Sequence, residues 1–218
     1  EPISSRWEGV VWIAALLTMT IGNFAAITQN NIKRLLAYSS IAHAGYVLVA
    51  IAAHSQIGTQ AAMFYLASYA FMNIGAFAIV THFARQGERY LEVDQMAGLA
   101  YRQPATAAMM VVFLLSFIGV PLTAGFFGKF YVFKAALDAD LVWLTVLGLL
   151  NSAVAAYYYL RIIVVMYMHE PTPATEGLQP LSAGIKTALV ASVLATIILG
   201  VFPSWVLEFA GTSATLIK

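Results

Sequence analysis

Long apolar stretches alternate along the chain with short polar ones. The apolar runs cover about 10–28, 35–53, 58–83, 105–136, 141–168 and 185–210, and charges fall almost wholly between them. A helix needs roughly 20 mostly apolar residues to cross about 30 Å of hydrocarbon, so each run is long enough. A barrel strand would alternate in polarity, and Val47-Leu48-Val49-Ala50-Ile51 does not. The pattern predicts an all-α membrane protein with six transmembrane helices, and residues 1–218 are expected to form a single transmembrane domain.

Composition sharpens this reading. Hydrophobic residues make up 61% of the chain and charged ones 10%, against about 25% charged in soluble domains. That is too few to coat a water-facing globule, and the mean hydropathy of +0.81 agrees. Eleven Lys and Arg against ten Asp and Glu leave a net charge of +1, without the basic excess of a nucleic-acid binder. The absence of cysteine excludes a disulfide scaffold and cysteine-ligated iron–sulfur or zinc centres. The chain starts Glu1-Pro2-Ile3, with neither Met nor a basic leader. It is therefore expected to be the downstream part of a longer polypeptide.

Charge also predicts orientation. Lys33, Arg34, Arg85, Arg89, Arg102, Arg161 and Lys186 fall on one side of a six-helix arrangement, whereas Arg6, Lys134 and Lys218 fall on the other. The positive-inside bias makes the first side cytoplasmic and places both termini outside. Trp7, Trp12, Trp143 and Trp205 all fall near the outer interface, the zone that indoles prefer.

The fourth run holds the first candidate chemistry. Its 32 residues would extend about 48 Å as a straight helix, too long for one simple crossing. Pro121 removes a backbone donor near its middle, and Gly119 and Gly125 tolerate non-helical torsions. A plain proline kink would account for this. A true break would need protein or a water-filled cavity beside the freed carbonyls. Two turns on comes Lys129, among aromatics and without a nearby acid. Inserting such a lysine costs at least ~2.5–3.5 kcal/mol. It either snorkels to the interface or works as a desolvated amine whose charge is switched. Its counter-charge is expected from water, another chain or further sequence.

The second run carries the other polar set. Ser39, His43 and Tyr46 are spaced to share one helix face, beside Ser40. His43 stands about 12–15 Å in from Lys33 along the helix. It reads either as a neutral histidine bonded to a neighbour or as a proton relay. Lys33 reads as a cytoplasmic anchor that could feed protons inward. Ser68, Asn73, Asn151 and Ser152 read as interhelical hydrogen bonders, and Tyr157-Tyr158-Tyr159 as packing near the cytoplasmic boundary. His54, His82 and His169 are scattered, so no metal-site spacing emerges.

Two motifs carry a family resemblance. NIKRLLAYSSIAHAGY, residues 31–46, closely resembles a signature of the antiporter-like membrane subunits of respiratory complex I. GVPLTAGFFGKF, residues 119–130, resembles the broken helix of these subunits. The lysine at 129 is similar to the N-type (the counterpart of mitochondrial subunit 2) rather than to the M-type, which carries glutamate there. The resemblance extends from about Val10 to Met168. It implies a family fold of fourteen helices with two inverted five-helix repeats, of which this chain is similar to the second repeat plus the final helix. It also implies that Lys129 is the terminal lysine of a membrane-centre axis and passes protons towards the outer side, that His43 is a connecting residue and that Lys33 is part of the cytoplasmic input. The family's essential glutamate and first-repeat lysines have no counterpart here.

The function implied is proton translocation in an NADH–quinone oxidoreductase of a bacterial inner membrane. No cofactor is expected in this chain. NADH, FMN, iron–sulfur clusters and quinone would bind partner subunits. Expected partners are neighbouring antiporter-like and small hydrophobic subunits, the missing N-terminal half, and lipid. A cation/proton antiporter subunit, a membrane-bound hydrogenase subunit and a purely structural membrane scaffold remain open.

Overall fold

A computed structural model describes residues 4–84 and 90–204. Its helices are α1 (Ser4–Ile27), α2 (Ile32–Ala52), α3 (Gln56–Ala84), α4 (Leu99–Arg102), α5 (Pro104–Ile118), α6 (Ala124–Asp138), α7 (Val142–Met168), α8 (Pro173–Glu176) and α9 (Ala183–Val201). The described residues contain no strand, only an isolated bridge between Asn31 and Glu92. Five helices are long and apolar enough to cross a membrane, namely α1, α2, α3, α7 and α9. The fourth apolar run is not one helix. It forms α5 and α6 of 15 residues each, and neither spans a bilayer alone. The predicted end of the sixth run (205–210), both chain termini, Arg85, Arg89, Trp205 and Lys218 lie outside the described residues.

Local chemistry explains the ends that matter. Asn31 caps α2, its side chain accepting from the Arg34 N–H at 3.1 Å. Pro104 starts α5, where its missing N–H costs nothing. Gly119 stops α5 in the left-handed region at φ 92°, its N–H bonded back to Leu115 and Ser116. Helix α6 resumes at Ala124, after the Thr123 hydroxyl closes the turn onto the Val120 carbonyl at 2.7 Å.

The helices pack closely where side chains vanish. Gly22 on α1 lies against the backbone of Tyr38 and Ala42, and Gly45 on α2 lies against Ala15 and Met19. Two apolar clusters fill the bundle. One gathers Leu35, Ile79, Phe83, Met96, Leu99 and Phe113, the other Met19, Val49, Val132, Phe133 and Leu144. The outward faces remain apolar, as with Val10, Ile13, Leu17, Ile21 and Phe24 on α1. Such stripes suit lipid or protein neighbours rather than water.

The loops following α1, α3 and α7 interlock at one end. Ile32 N–H donates to the Leu91 carbonyl at 2.7 Å and Val93 N–H to that of Asn30 at 2.8 Å. Thr172 Oγ1 donates to the Gln95 carbonyl at 2.8 Å. Arg161, inside α7, reaches Asn30 Oδ1 at 2.9 Å. The sequence grouped these connections on one side, and the structure brings them together.

Candidate functional site

The break between α5 and α6 builds a seat for Lys129. The side chain is 6% exposed. Its Nζ donates to the Phe117 carbonyl at 2.8 Å, the Ile118 carbonyl at 3.0 Å and Ser152 Oγ on α7 at 2.7 Å. Phe117 and Ile118 are the last residues of α5, whose carbonyls lack helical partners and carry its negative dipole end. The ring of Tyr46 lies 4.9 Å from Nζ. Hydrogen bonds to a charged group contribute ~1.5–3 kcal/mol each. Three of them can offset the ~2.5–3.5 kcal/mol of inserting the lysine. Lys129 is therefore buried and not snorkelling. Its compensation comes from the broken helix itself, where the sequence pointed to water, another chain or missing residues.

Pro121 and Gly119 lie in the break as expected, and Gly125 opens α6 against α5. The N–H of Gly125 donates to Ser116 Oγ at 3.0 Å. A Cβ on Gly200 of α9 would collide with the Leu122 carbonyl and the Thr123 backbone, so α9 backs the break. This is a helix interruption backed by α9 on one side, with Pro121 and Leu122 exposed on the other, and not a plain kink.

His43 is 3% exposed, and both ring nitrogens are engaged. Nδ1 lies 2.6 Å from the Tyr65 hydroxyl and Nε2 3.1 Å from that of Tyr159. A neutral imidazole donates at one nitrogen and accepts at the other, and each hydroxyl can serve either. This string joins α3, α2 and α7 through one histidine. Among the described residues no hydrogen bond links His43 to Lys129. Two rings stand by the imidazole, and one of them, that of Tyr46, also stands by Lys129. That of Phe117 is 5.2 Å from the imidazole, and that of Tyr46 is 5.8 Å away and edge-on. The Tyr46 hydroxyl is buried without a hydrogen-bond partner among the described residues.

The other expected residues divide. Ser39 is buried, but its hydroxyl bonds back to the Leu36 carbonyl at 2.8 Å. Ser40 donates to the same carbonyl at 2.9 Å and accepts from Tyr69 at 2.6 Å. Lys33 lies in the first turn of α2, roughly 15 Å along the axis from His43, so the structure does not bring it into the site.

Sequence reasoning missed Tyr65 and Tyr159 as partners of the histidine. Tyr158 and Tyr159 are not boundary packing: α7 continues to Met168, and both rings are buried, with Tyr158 donating to Asn23 Oδ1 at 2.9 Å. Asn23 in turn donates to the Asn151 carbonyl and side chain at 3.0 and 3.1 Å, tying α1 to α7. Ser68, read as an interhelical bonder, has no partner for its hydroxyl among the described residues. A cavity of about 490 Å³ opens beside Lys129 between α6 and α7.

A helical membrane bundle with a buried lysine at a helix break, beside a histidine–tyrosine string, defines a class of integral membrane protein. Comparison with known proteins gives its family. Residues 1–155 match the transmembrane family of NADH:quinone oxidoreductase and Mrp antiporters, and the chain belongs to that family. It is 64% identical over 218 residues to NADH-quinone oxidoreductase subunit N 1 of Solibacter usitatus, covering 100% of this chain and 45% of the relative. It is 54% identical over 208 residues to NADH-quinone oxidoreductase subunit N 2 of Koribacter versatilis, covering 95% and 42%. The chain thus spans less than half the length of these relatives. A chain of respiratory complex I from Thermus thermophilus superposes with a TM-score of 0.80 at 35% identity, covering 92% of this chain and 45% of that one. A chain of the Mrp complex from Dietzia sp. gives 0.86 at 25% identity, covering 97% and 47%. The resemblance drawn from the two motifs is borne out.

Proposed function

We propose that this chain moves protons within the membrane arm of an NADH–quinone oxidoreductase, as the downstream part of an N-type subunit. One observation carries the reading: Lys129 Nζ is held inside a helix break by two α5 carbonyls and Ser152. A buried amine that exchanges a proton there changes the charge at the membrane centre without any redox group of its own. His43, bonded to Tyr65 and Tyr159, supplies the next group able to gain or lose a proton. Lys33 feeds the cytoplasmic end.

The rest of the reading is supported by the charge pattern of the loops and by the likeness to subunit N proteins. The paired half-helices α5 and α6 act as the fourth of six crossings, and the six form one five-helix repeat plus a final helix. The interlocked loops face the cytoplasm of a bacterial inner membrane, with both termini on the other side. NADH, FMN, iron–sulfur clusters and quinone bind partner subunits. Neighbouring antiporter-like and small hydrophobic subunits, together with the rest of the same subunit, surround this bundle.

The test is Lys129→Ala in the complete complex in proteoliposomes. NADH oxidation by the assembled complex persists, while protons pumped per NADH fall. Unchanged pumping in an assembled variant would sink the reading. A scaffold role instead predicts that Lys129→Met pumps normally and is as stable as the parent or more so. The Mrp-like reading is favoured by the superposition at TM-score 0.86. A gene set of quinone-reductase subunits beside this one decides against it, and a set of antiporter subunits decides for it.

A further inference from the structure

The cavity between α6 and α7 is a groove that follows α6 along its length. Phe126, Lys129, Phe130, Phe133, Leu137 and Asp138 line it at i, i+3, i+4, i+7, i+11 and i+12, a single helix face. Thr145, Leu149 and Ser152 line it from α7 at i, i+4 and i+7. Phe126 and Asp138 stand about 18 Å apart along the axis. One leaflet of hydrocarbon, half of a bilayer core, is ~15 Å thick. The groove, with a volume of about 490 Å³, therefore has the length of one acyl chain laid beside the helix.

Its two ends differ. At the inner end the Lys129 ammonium directs its three hydrogens to Phe117, Ile118 and Ser152, which leaves none for a ligand. An occupant must be apolar there. At the other end Lys134 and Asp138 pair at 2.6 Å with side chains 49% and 47% exposed, and Asp140 follows two residues on. The walls between are apolar. Phe126 and Phe130 stack at 6.3 Å and 18°, and Phe133 closes the floor by filling the notch at Gly148. A held water needs several polar partners, which these walls do not supply. Methylene groups need none.

We infer that this groove binds one acyl chain of a membrane phospholipid whose headgroup carries both a phosphate and a primary ammonium, as ethanolamine lipids do. The phosphate pairs with Lys134 and the ammonium with Asp138, so one exposed ion pair is exchanged for two. An anionic headgroup would satisfy Lys134 alone and set its own charge against Asp138 and Asp140. The chain lies over the aromatic wall with its tip beside the Lys129 seat, and closes the open side of that seat to water. This goes beyond the proposed function and does not depend on it, because the groove binds the chain whatever Lys129 carries.

The test uses the complete complex, equilibrated in vesicles with phosphatidylethanolamine that carries a diazirine near the end of one acyl chain. After the complex is solubilised and washed, irradiation labels peptides covering 126–149 but not the outward stripe of α1 at Val10, Leu17 and Phe24. The phosphatidylglycerol form of the probe labels the groove about fivefold less, the factor for ~1 kcal/mol of an exposed charge pair. Leu149→Trp fills the groove and lowers its label about tenfold, the factor for ~1.4 kcal/mol of lost packing. Leu149→Phe carries that arm if the tryptophan variant does not assemble, with NADH oxidation as the check on assembly. Label that washes out of the groove as it does from α1, or that persists in the Leu149 variant, overturns the inference. A groove covered by a neighbouring subunit and left unlabelled overturns it as well. Equal labelling by the two probes refutes the pairing with Lys134 and Asp138. Pumping by Lys129→Ala, normal or lost, bears on the proposed function alone.

Discussion

Gly125 and Ser116 join the two halves of the broken helix. The Gly125 N–H donates to Ser116 Oγ at 3.0 Å, and a Cβ on Gly125 would collide with the Ser116 carbonyl oxygen. Gly125→Ala therefore forces the half-helices apart and costs ~1–3 kcal/mol or more, as overpacking does. Ser116→Ala causes no collision and leaves the buried Gly125 N–H without its acceptor, at ~1–3 kcal/mol. Thermal unfolding of the purified complex, with release of this subunit as the readout, should rank Gly125→Ala below Ser116→Ala.

Gly119→Ala strains the break from the other side. At φ +92° an L side chain is disfavoured, and its Cβ would stand 3.2 Å from Lys129 Cδ. The backbone term is ~1–3 kcal/mol. Because the new methyl presses on the lysine stem, pumping should fall more than stability does. Comparing protons per NADH with the melting temperature of the same preparation checks this.

Tyr65→Phe and Tyr159→Phe each leave one nitrogen of the buried His43 ring without a partner. Each should destabilise by ~1–3 kcal/mol, the cost of an unsatisfied buried polar group. Together with His43→Phe, whose ring needs neither hydroxyl, the loss should be clearly smaller than the sum. A double-mutant cycle on unfolding measures this coupling, and strict additivity would contradict the bonding described.

Asn23→Ala cuts the tie between α1 and α7 and strands the Tyr158 hydroxyl, which donates to Asn23 Oδ1 at 2.9 Å. A loss of ~1–3 kcal/mol is expected. Hydrogen exchange should then rise along the contacting parts of α1 and α7, with α2 and α3 little changed.

Glu176→Gln should do almost nothing. Its pair with Arg102, 2.8 Å long, has side chains 53% and 50% exposed. Exposed pairs contribute ~0–1 kcal/mol and are screened by salt. Equal melting temperatures for parent and variant in high salt are the expected outcome.

The long apolar runs gave away the helices because hydrocarbon demands length and apolarity together. Pro121 with Gly119 and Gly125 marked the break because their backbone limits are local. The partners of His43 were not readable. Ser39 and Tyr46 share its helix face, yet its hydrogen bonds go to Tyr65 and Tyr159, 22 and 116 residues away. Helical spacing reports neighbours on one rod, whereas a contact between rods depends on packing that no single segment encodes. Arg161 misled for a related reason. Its long side chain reaches Asn30 in the interlocked loops, so the charge belongs with the loop end while its backbone, and the tyrosines before it, lie within α7.

The seat at the end of α5 has a consequence for turnover. It offers the lysine nitrogen three acceptors, and a charged amine brings three hydrogens. An uncharged one brings two hydrogens, enough for the two carbonyls, and a lone pair that only the Ser152 hydroxyl can meet, by turning from acceptor to donor. Discharging the nitrogen thus leaves the tip of the half-helix satisfied and reverses one hydrogen bond, the one to α7. Emptying the carrier and turning that hydroxyl become a single event.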